Sequence, residues 1–223
     1  MKKNLILLIC SLFLINCSSK KPSDTFLMSE RYFENYIKYY FQGNFTLAET
    51  NFLKAVDLFQ KSDDQCNLSK LYISKNLIQN DNNSLEYAKR YALMGYCDEE
   101  INTIDFLLGK PYIYDKLPSS LKIQAQSFKS AEELIKILSK DDFSDWTRSR
   151  LSRDFAQRFI SRSDTNNSDI LIEYALKIDR FNGWTYNIQK DLLLKKEICL
   201  IKNEDCKFID ERLDIINKKM IKK

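Results

Sequence analysis

The chain has 223 residues, 44% of them apolar and 30% charged, a balance that supports a folded domain rather than a disordered one. Four Gly and three Pro supply too few turns for a β-sandwich, so long helices are expected. A formal charge of +4 is too weak to argue for nucleic acid, and the lack of His removes the commonest metal ligand and general base.

Residues 1–17 read MKKNLILLICSLFLINC. Two lysines precede an apolar run from Leu5 to Ile15, about the length of a signal h-region and short for a membrane span. The run ends in Leu14-Ile15-Asn16-Cys17, which resembles the lipobox of bacterial lipoproteins, with Asn16 where Gly or Ala usually stands. The resemblance implies that residues 1–16 leave as a signal peptide and that Cys17 becomes the first residue, acylated on sulfur and amine by chains such as palmitate. Two or three acyl chains anchor a protein firmly, whereas one does not. The other reading is an ordinary signal peptide with a coincidental Cys. Processing would leave 223 − 16 = 207 residues and, with Lys2 and Lys3 gone, a side-chain balance of 4 − 2 = +2. Ser18 after the Cys points, by the enterobacterial sorting rule, to the outer membrane and a periplasm-facing protein. Residues 17–23 form a lipidated polar tether.

From Ser23 to Gln42, Phe26, Tyr32, Tyr36 and Tyr39/Tyr40 approximate a helical stripe. Gly43-Asn44 ends this helix and caps the next. Phe45 leads into a second helix with Ala48, Phe52 and Ala55 on one face. Gly43, Phe45, Ala48, Phe52 and Ala55, with Lys54-Ala55 and Asp57-Leu58 at the end, resemble a tetratricopeptide repeat over about 30 residues from Ser29. Asn35-Tyr36 replaces the usual Leu-Gly of the first helix, and Gln60 stands near the place of the terminal Pro. An unrelated helical hairpin is the other reading. The resemblance implies an all-α stack of antiparallel helical hairpins, an α-solenoid whose first helices line a concave surface that binds extended peptides. Phe33, Ile37, Tyr40 and Phe41 lie off the main stripe and are the candidate peptide-binding residues; they could equally bury against the next hairpin. The Lys/Asn clamp that some members use for C-terminal carboxylates is not matched, because Phe33 and Ile37 stand there.

A second hairpin follows, Cys66 to Gln79 and Leu85 to Met94, joined by the turn cluster at 80–84. Asp98 to Leu108 is a shorter helix, stopped by Gly109. The N-terminal hairpins thus span 24–109, and residues 110–118, with two of the three Pro, form an irregular connection to degenerate hairpins over 119–223. Ser119 to Ser139 keeps helical spacing and reads as one long helix, with Ser130 and Glu133 able to cap a break in it. Asp141-Asp142 start a helix carrying Phe143, Trp146, Leu151, Phe155 and Phe159. Ile170 to Arg180 resembles the second helix of another repeat, and Trp184 to Lys202 with Asp205 to Met220 forms the last hairpin. The total is about nine or ten helices.

Cys66, Cys97, Cys199 and Cys206 are even in number in a chain with an export signal. Cys66 begins one helix and Cys97 lies just past its antiparallel partner; Cys199 and Cys206 flank the loop of the last hairpin. Both pairs can reach the roughly 5.5–6 Å Cα separation a disulfide needs. Cys66–Cys97 and Cys199–Cys206 is the connectivity local to hairpins; four free thiols is the other reading, and no metal site is expected.

No G-x-S-x-G, P-loop, G-x-G-x-x-G or C-x-x-C occurs, and without His a Ser or Cys triad of the usual kind is excluded. No catalytic residues, cofactor, small-molecule substrate or nucleic acid are expected. Arg148, Arg158 and Arg162 share a third of one helix circumference, while Arg150 and Arg153 point elsewhere; a solvated face is the expectation, and a binding ridge for an acidic lipid or partner is the other reading. The combined reading is a lipid-anchored, periplasmic scaffold or assembly factor for an envelope complex, such as outer-membrane protein, pilus or secretin assembly. A cell-wall enzyme or its regulator, and a surface-exposed lipoprotein, are the alternatives.

Overall fold

A computed structural model describes residues 23–140 and 142–221. The signal segment and Cys17 lie outside the described residues.

The described residues form α1 (Asp24–Phe41), α2 (Phe45–Lys61), α3 (Gln65–Gln79), α4 (Asn82–Met94), α5 (Asp98–Leu107), a 3-10 turn (Tyr114–Lys116), α6 (Ser119–Gln124), α7 (Ala131–Leu138), α8 (Asp145–Ile160), α9 (Thr165–Asn182), α10 (Thr185–Ile201) and α11 (Lys207–Ile221). No strand occurs among them. Consecutive helices pack as antiparallel hairpins: α1 on α2, α3 on α4, α8 on α9 and α10 on α11. The fold is a stack of helical hairpins.

The hairpins share one joint, whose chemistry varies. At Gly43, Asp63, Tyr96, Ser163, Gly183 and Asn203 the backbone enters the left-handed region. The next amide then donates back across the helix end, as Asn44 does to Tyr39, Asp64 to Phe59, Asp164 to Phe159 and Trp184 to Asp179, each at 2.9 Å. This arrangement closes the last carbonyls of one helix and aims the chain into the next. Asn44, Asp64 and Asp164 then cap the new helix by accepting from Leu47, Asn67 and Asn167. Gly suits the left-handed position best, and Gly43 has a second constraint: a Cβ there would lie 3.2 Å from the Met220 sulfur of α11.

Small residues set the close approach within hairpins. Ala48 and Ala55 are fully buried between α1 and α2, with Phe52 wedged against Tyr36 at 5.3 Å. The Ser29 hydroxyl donates to the Ala55 carbonyl across the same interface. In the α8/α9 hairpin Ala156 and Ala175 are likewise buried, and Ser168 donates to the Ala156 carbonyl.

One core lies between α1, α2 and α3, built on Tyr36, Phe41, Phe52, Phe59 and Leu68. A second lies between α7, α8 and α9, built on Leu134, Leu138, Leu151, Phe155 and Leu171. The start of α10 joins the first core. Trp184 packs on Phe41 at 5.0 Å, and Tyr186 meets Tyr40 at 5.6 Å and Phe45 at 5.1 Å. The last hairpin therefore returns to the first.

The expected long helix over 119–139 is two. α6 stops at Gln124 and α7 begins at Ala131. Ser130 accepts from the Glu133 amide while the Glu133 carboxylate accepts from the Lys129 amide, so the local capping pair prevails over a continuous apolar period. The following helix starts at Asp145 with Ser144 at its N-cap, later than the Asp141-Asp142 start expected.

Both expected disulfides are present. Cys66–Cys97 joins the start of α3 to the loop before α5, and Cys199–Cys206 joins α10 to the start of α11, with Cα separations of 5.6 and 5.9 Å. Gly95 makes room for the first: a Cβ would lie 2.7 Å from both the Cys97 sulfur and the Gln65 Cβ.

Candidate functional site

The first helices of successive hairpins face a common cleft of about 640 Å³. α1 contributes Phe41, α3 contributes Asn76, Leu77 and Gln79, α8 contributes Arg150, Arg153, Asp154 and Gln157, and α10 contributes Lys190, Leu193, Leu194 and Glu197. A second cleft of about 700 Å³, between α3, α5 and residues 115–121, shares Leu77 with the first.

The wall made by α8 and α10 rests on a buried ionic cluster. The Arg153 guanidinium Nη1 donates to Asp179 Oδ2 at 2.6 Å and Asp191 Oδ1 at 3.1 Å, and to the Ser149 hydroxyl at 2.7 Å. Ser149 in turn donates to Asp179 Oδ1. Both carboxylates are fully buried. Arg153 thereby ties α8 to α9 and α10. Burial raises the Asp191 carboxyl well above the usual range and the charge of Asp179 raises it further, against the pull of Arg153.

Arg150 is also buried. Its Nη1 donates to Gln124 Oε1 at 3.0 Å and Asp154 Oδ2 at 2.8 Å, which fastens α6 to α8. Lys190 stands one residue before Asp191, with its ammonium 4.4 Å from the Tyr186 ring centre.

Asp179 and Asp191 form a close carboxylate pair around Arg153. They lie behind Arg153 and do not line the cleft, so they do not present the solvent-open acid and base that glycoside cleavage uses. The sulfurs of Cys66 and Cys97 lie near Glu100 but are joined to each other, which leaves no thiolate for a metal.

The four residues expected to form a peptide groove are divided. Phe41 is buried under Trp184 and reaches the floor of the central cleft. Ile37 is buried and lines a separate depression of about 300 Å³ with Trp146 and Trp184. Phe33 stacks on Tyr36, and Tyr40 is half-buried among Tyr36, Phe45 and Tyr186. The return of α10 onto α1 accounts for two of the four, since Tyr186 covers Tyr40 and Trp184 covers Phe41.

The arginines expected on one solvated face are exposed in part: Arg148 and Arg158 are half-buried. Arg162 is exposed, and Arg158 lies over Phe155 and donates to the Gln124 carbonyl. Arg150 and Arg153, off that face, build the cleft wall. One signal for this site was present in the sequence. Asp179 sits four residues after Ala175 and seven after Ile172, inside the apolar stripe of α9, where an unpaired acid has no place.

No protein-family model, curated protein or solved structure compared with the chain matches it.

Proposed function

We propose that this chain is a lipid-anchored, periplasm-facing helical-repeat protein that binds a polypeptide partner in its central cleft and acts as a scaffold or assembly factor for an envelope complex. The cleft carries this reading: about 640 Å³ of mixed apolar and polar wall, assembled from α1, α3, α8 and α10. Support for export comes from the two disulfides, which persist in oxidising compartments. Support for the anchor comes from the Leu14-Ile15-Asn16-Cys17 segment.

The binding part is tested by in-cell photocrosslinking. A photoreactive residue at Leu193, exposed in the cleft wall, should yield one discrete envelope-protein product. The same residue at Leu53, exposed on α2 and outside the cleft, should not. Equal products from both positions, or none from Leu193, would refute cleft binding. The anchor is tested separately. Cys17→Ala should abolish incorporation of an alkyne-palmitate label and release the protein from membranes; retained label refutes acylation at Cys17.

A further inference from the structure

Two charges in the cleft wall, Lys190 and Glu197, form no ion pair among the described residues. Arg153 is met by Asp179 and Asp191, and Arg150 by Asp154. Lys190 lines the same cleft, yet among the described residues no carboxylate oxygen lies within 4.0 Å of its ammonium. The charged groups that face it from farther away are Arg153 and Asp154 of α8, Asp179 of α9 and Asp191 of its own helix. Two rings lie close to its ammonium, Tyr186 at 4.4 Å and Tyr40 at 5.7 Å. Burial, and then Tyr186, raises the Tyr40 hydroxyl, so that phenol stays neutral and supplies no counter-charge. Burial, and then the charge of Arg153, lowers the Lys190 amine to about 8. At pH 7 it remains mostly protonated. A partly desolvated ammonium with no carboxylate in contact is unfavourable, and an arriving carboxylate relieves it.

The surroundings set the rest of the ligand. Leu193 and Leu194 follow Lys190 along α10, with Leu85 and Leu107 also in the lining. Glu197 stands seven residues beyond Lys190 on the same wall, about 10 Å along a helix. It repels an acid at that end and favours one seated at Lys190.

We propose that the cleft recognises a polypeptide segment with an acidic side chain flanked by aliphatic residues, and that Lys190 anchors the acid. This rests on the cleft-binding reading above and specifies its ligand. The probe is a fluorescent peptide of alternating Leu and Glu, blocked at both ends so that only side-chain carboxylates are present. A Leu/Gln peptide of the same length is the control. The Glu probe should bind the wild-type protein at least tenfold more tightly at pH 7, an advantage that falls about tenfold by pH 9 as Lys190 discharges. Lys190→Gln should erase the advantage, with the helical spectrum and both disulfides intact. Lys190→Arg should keep it and hold it through pH 9, a response that a merely structural lysine would not give. Equal binding of the two probes to wild type, an advantage that survives in Lys190→Gln, or binding of neither probe overturns the assignment. Crosslinking from Leu193 remains an independent readout, so a captured partner that is indifferent to Lys190→Gln rejects the acid anchor alone, and no captured partner rejects the cleft reading itself.

Discussion

Arg153→Met is expected to destabilise the protein by about 3–5 kcal/mol at neutral pH, the cost of leaving buried charges uncompensated. That is a third or more of the roughly 5–15 kcal/mol that holds a domain together. Asp179 and Asp191 would remain fully buried without the guanidinium that pairs with both. The loss should depend on pH, and the sign follows from Asp191. Its folded pKa is raised, by burial first and by Asp179 second. The folded state therefore keeps a proton that the unfolded chain releases above about pH 4. Stability is full below that point and declines as pH rises toward the folded value. Without Arg153 the pull that opposes the rise is gone, so the decline should steepen. Denaturant titrations at pH 4.5 and pH 8 should show a smaller penalty for Arg153→Met at the lower pH. Asp191→Asn, a neutral mimic of the protonated acid, should flatten the pH dependence in the wild-type background. An equal penalty at both pH values would mean that the cluster does not govern how α8, α9 and α10 hold together.

The same cluster shows which parts of this molecule could be read from its sequence. The first hairpin was legible because local chemistry decides it. Gly43 permits the turn, Asn44 caps the next helix, and Ala48, Phe52 and Ala55 fix how closely two helices pack. The disulfides were legible for a related reason, since hairpin geometry alone brings their ends together. The joint itself was not. Tyr96, Ser163 and Asn203 adopt the same left-handed turn as Gly43, and only the hydrogen bonds across the helix end reveal that these unlike residues do one job. The cleft was hidden for a stronger reason. Asp179 and Asp191 stand 26 and 38 residues after Arg153, each on another helix, and no local period encodes that meeting. The return of α10 onto α1 is likewise a long-range packing choice, made by Trp184 on Phe41. It moved the candidate groove away from Phe33 and toward the wall that holds Lys190.

The second large effect is expected at the Cys66–Cys97 bond. Replacing both by Ser should cost about 3–4 kcal/mol, because the bond closes a long loop and chain entropy scales with the logarithm of loop length. The residue numbers are 31 apart. Cys199–Cys206, with a separation of 7, should be worth about 2 kcal/mol by the same relation. The order of the two effects is a sharper test than either size, because a purely local packing role would not make the longer loop matter more. Position reinforces the argument. The first bond sits in a small third core, where Cys97 packs with Ile73, Ala88, Ala92 and Ile104. A Cβ at Gly95 would lie 2.7 Å from the Cys97 sulfur, so no larger side chain can take over the space. Limited proteolysis of the double-Ser variant should therefore cut first between Met94 and Asp98, where the unbonded junction opens, while α8 to α10 stay protected by Arg153. Thermal melts of the two double mutants and the wild type, read with the disulfide state fixed by mass, should rank wild type above the Cys199/Cys206 variant and that above the Cys66/Cys97 variant. The reverse ranking would place the main constraint at the C-terminal hairpin, where the return of α10 to α1 begins.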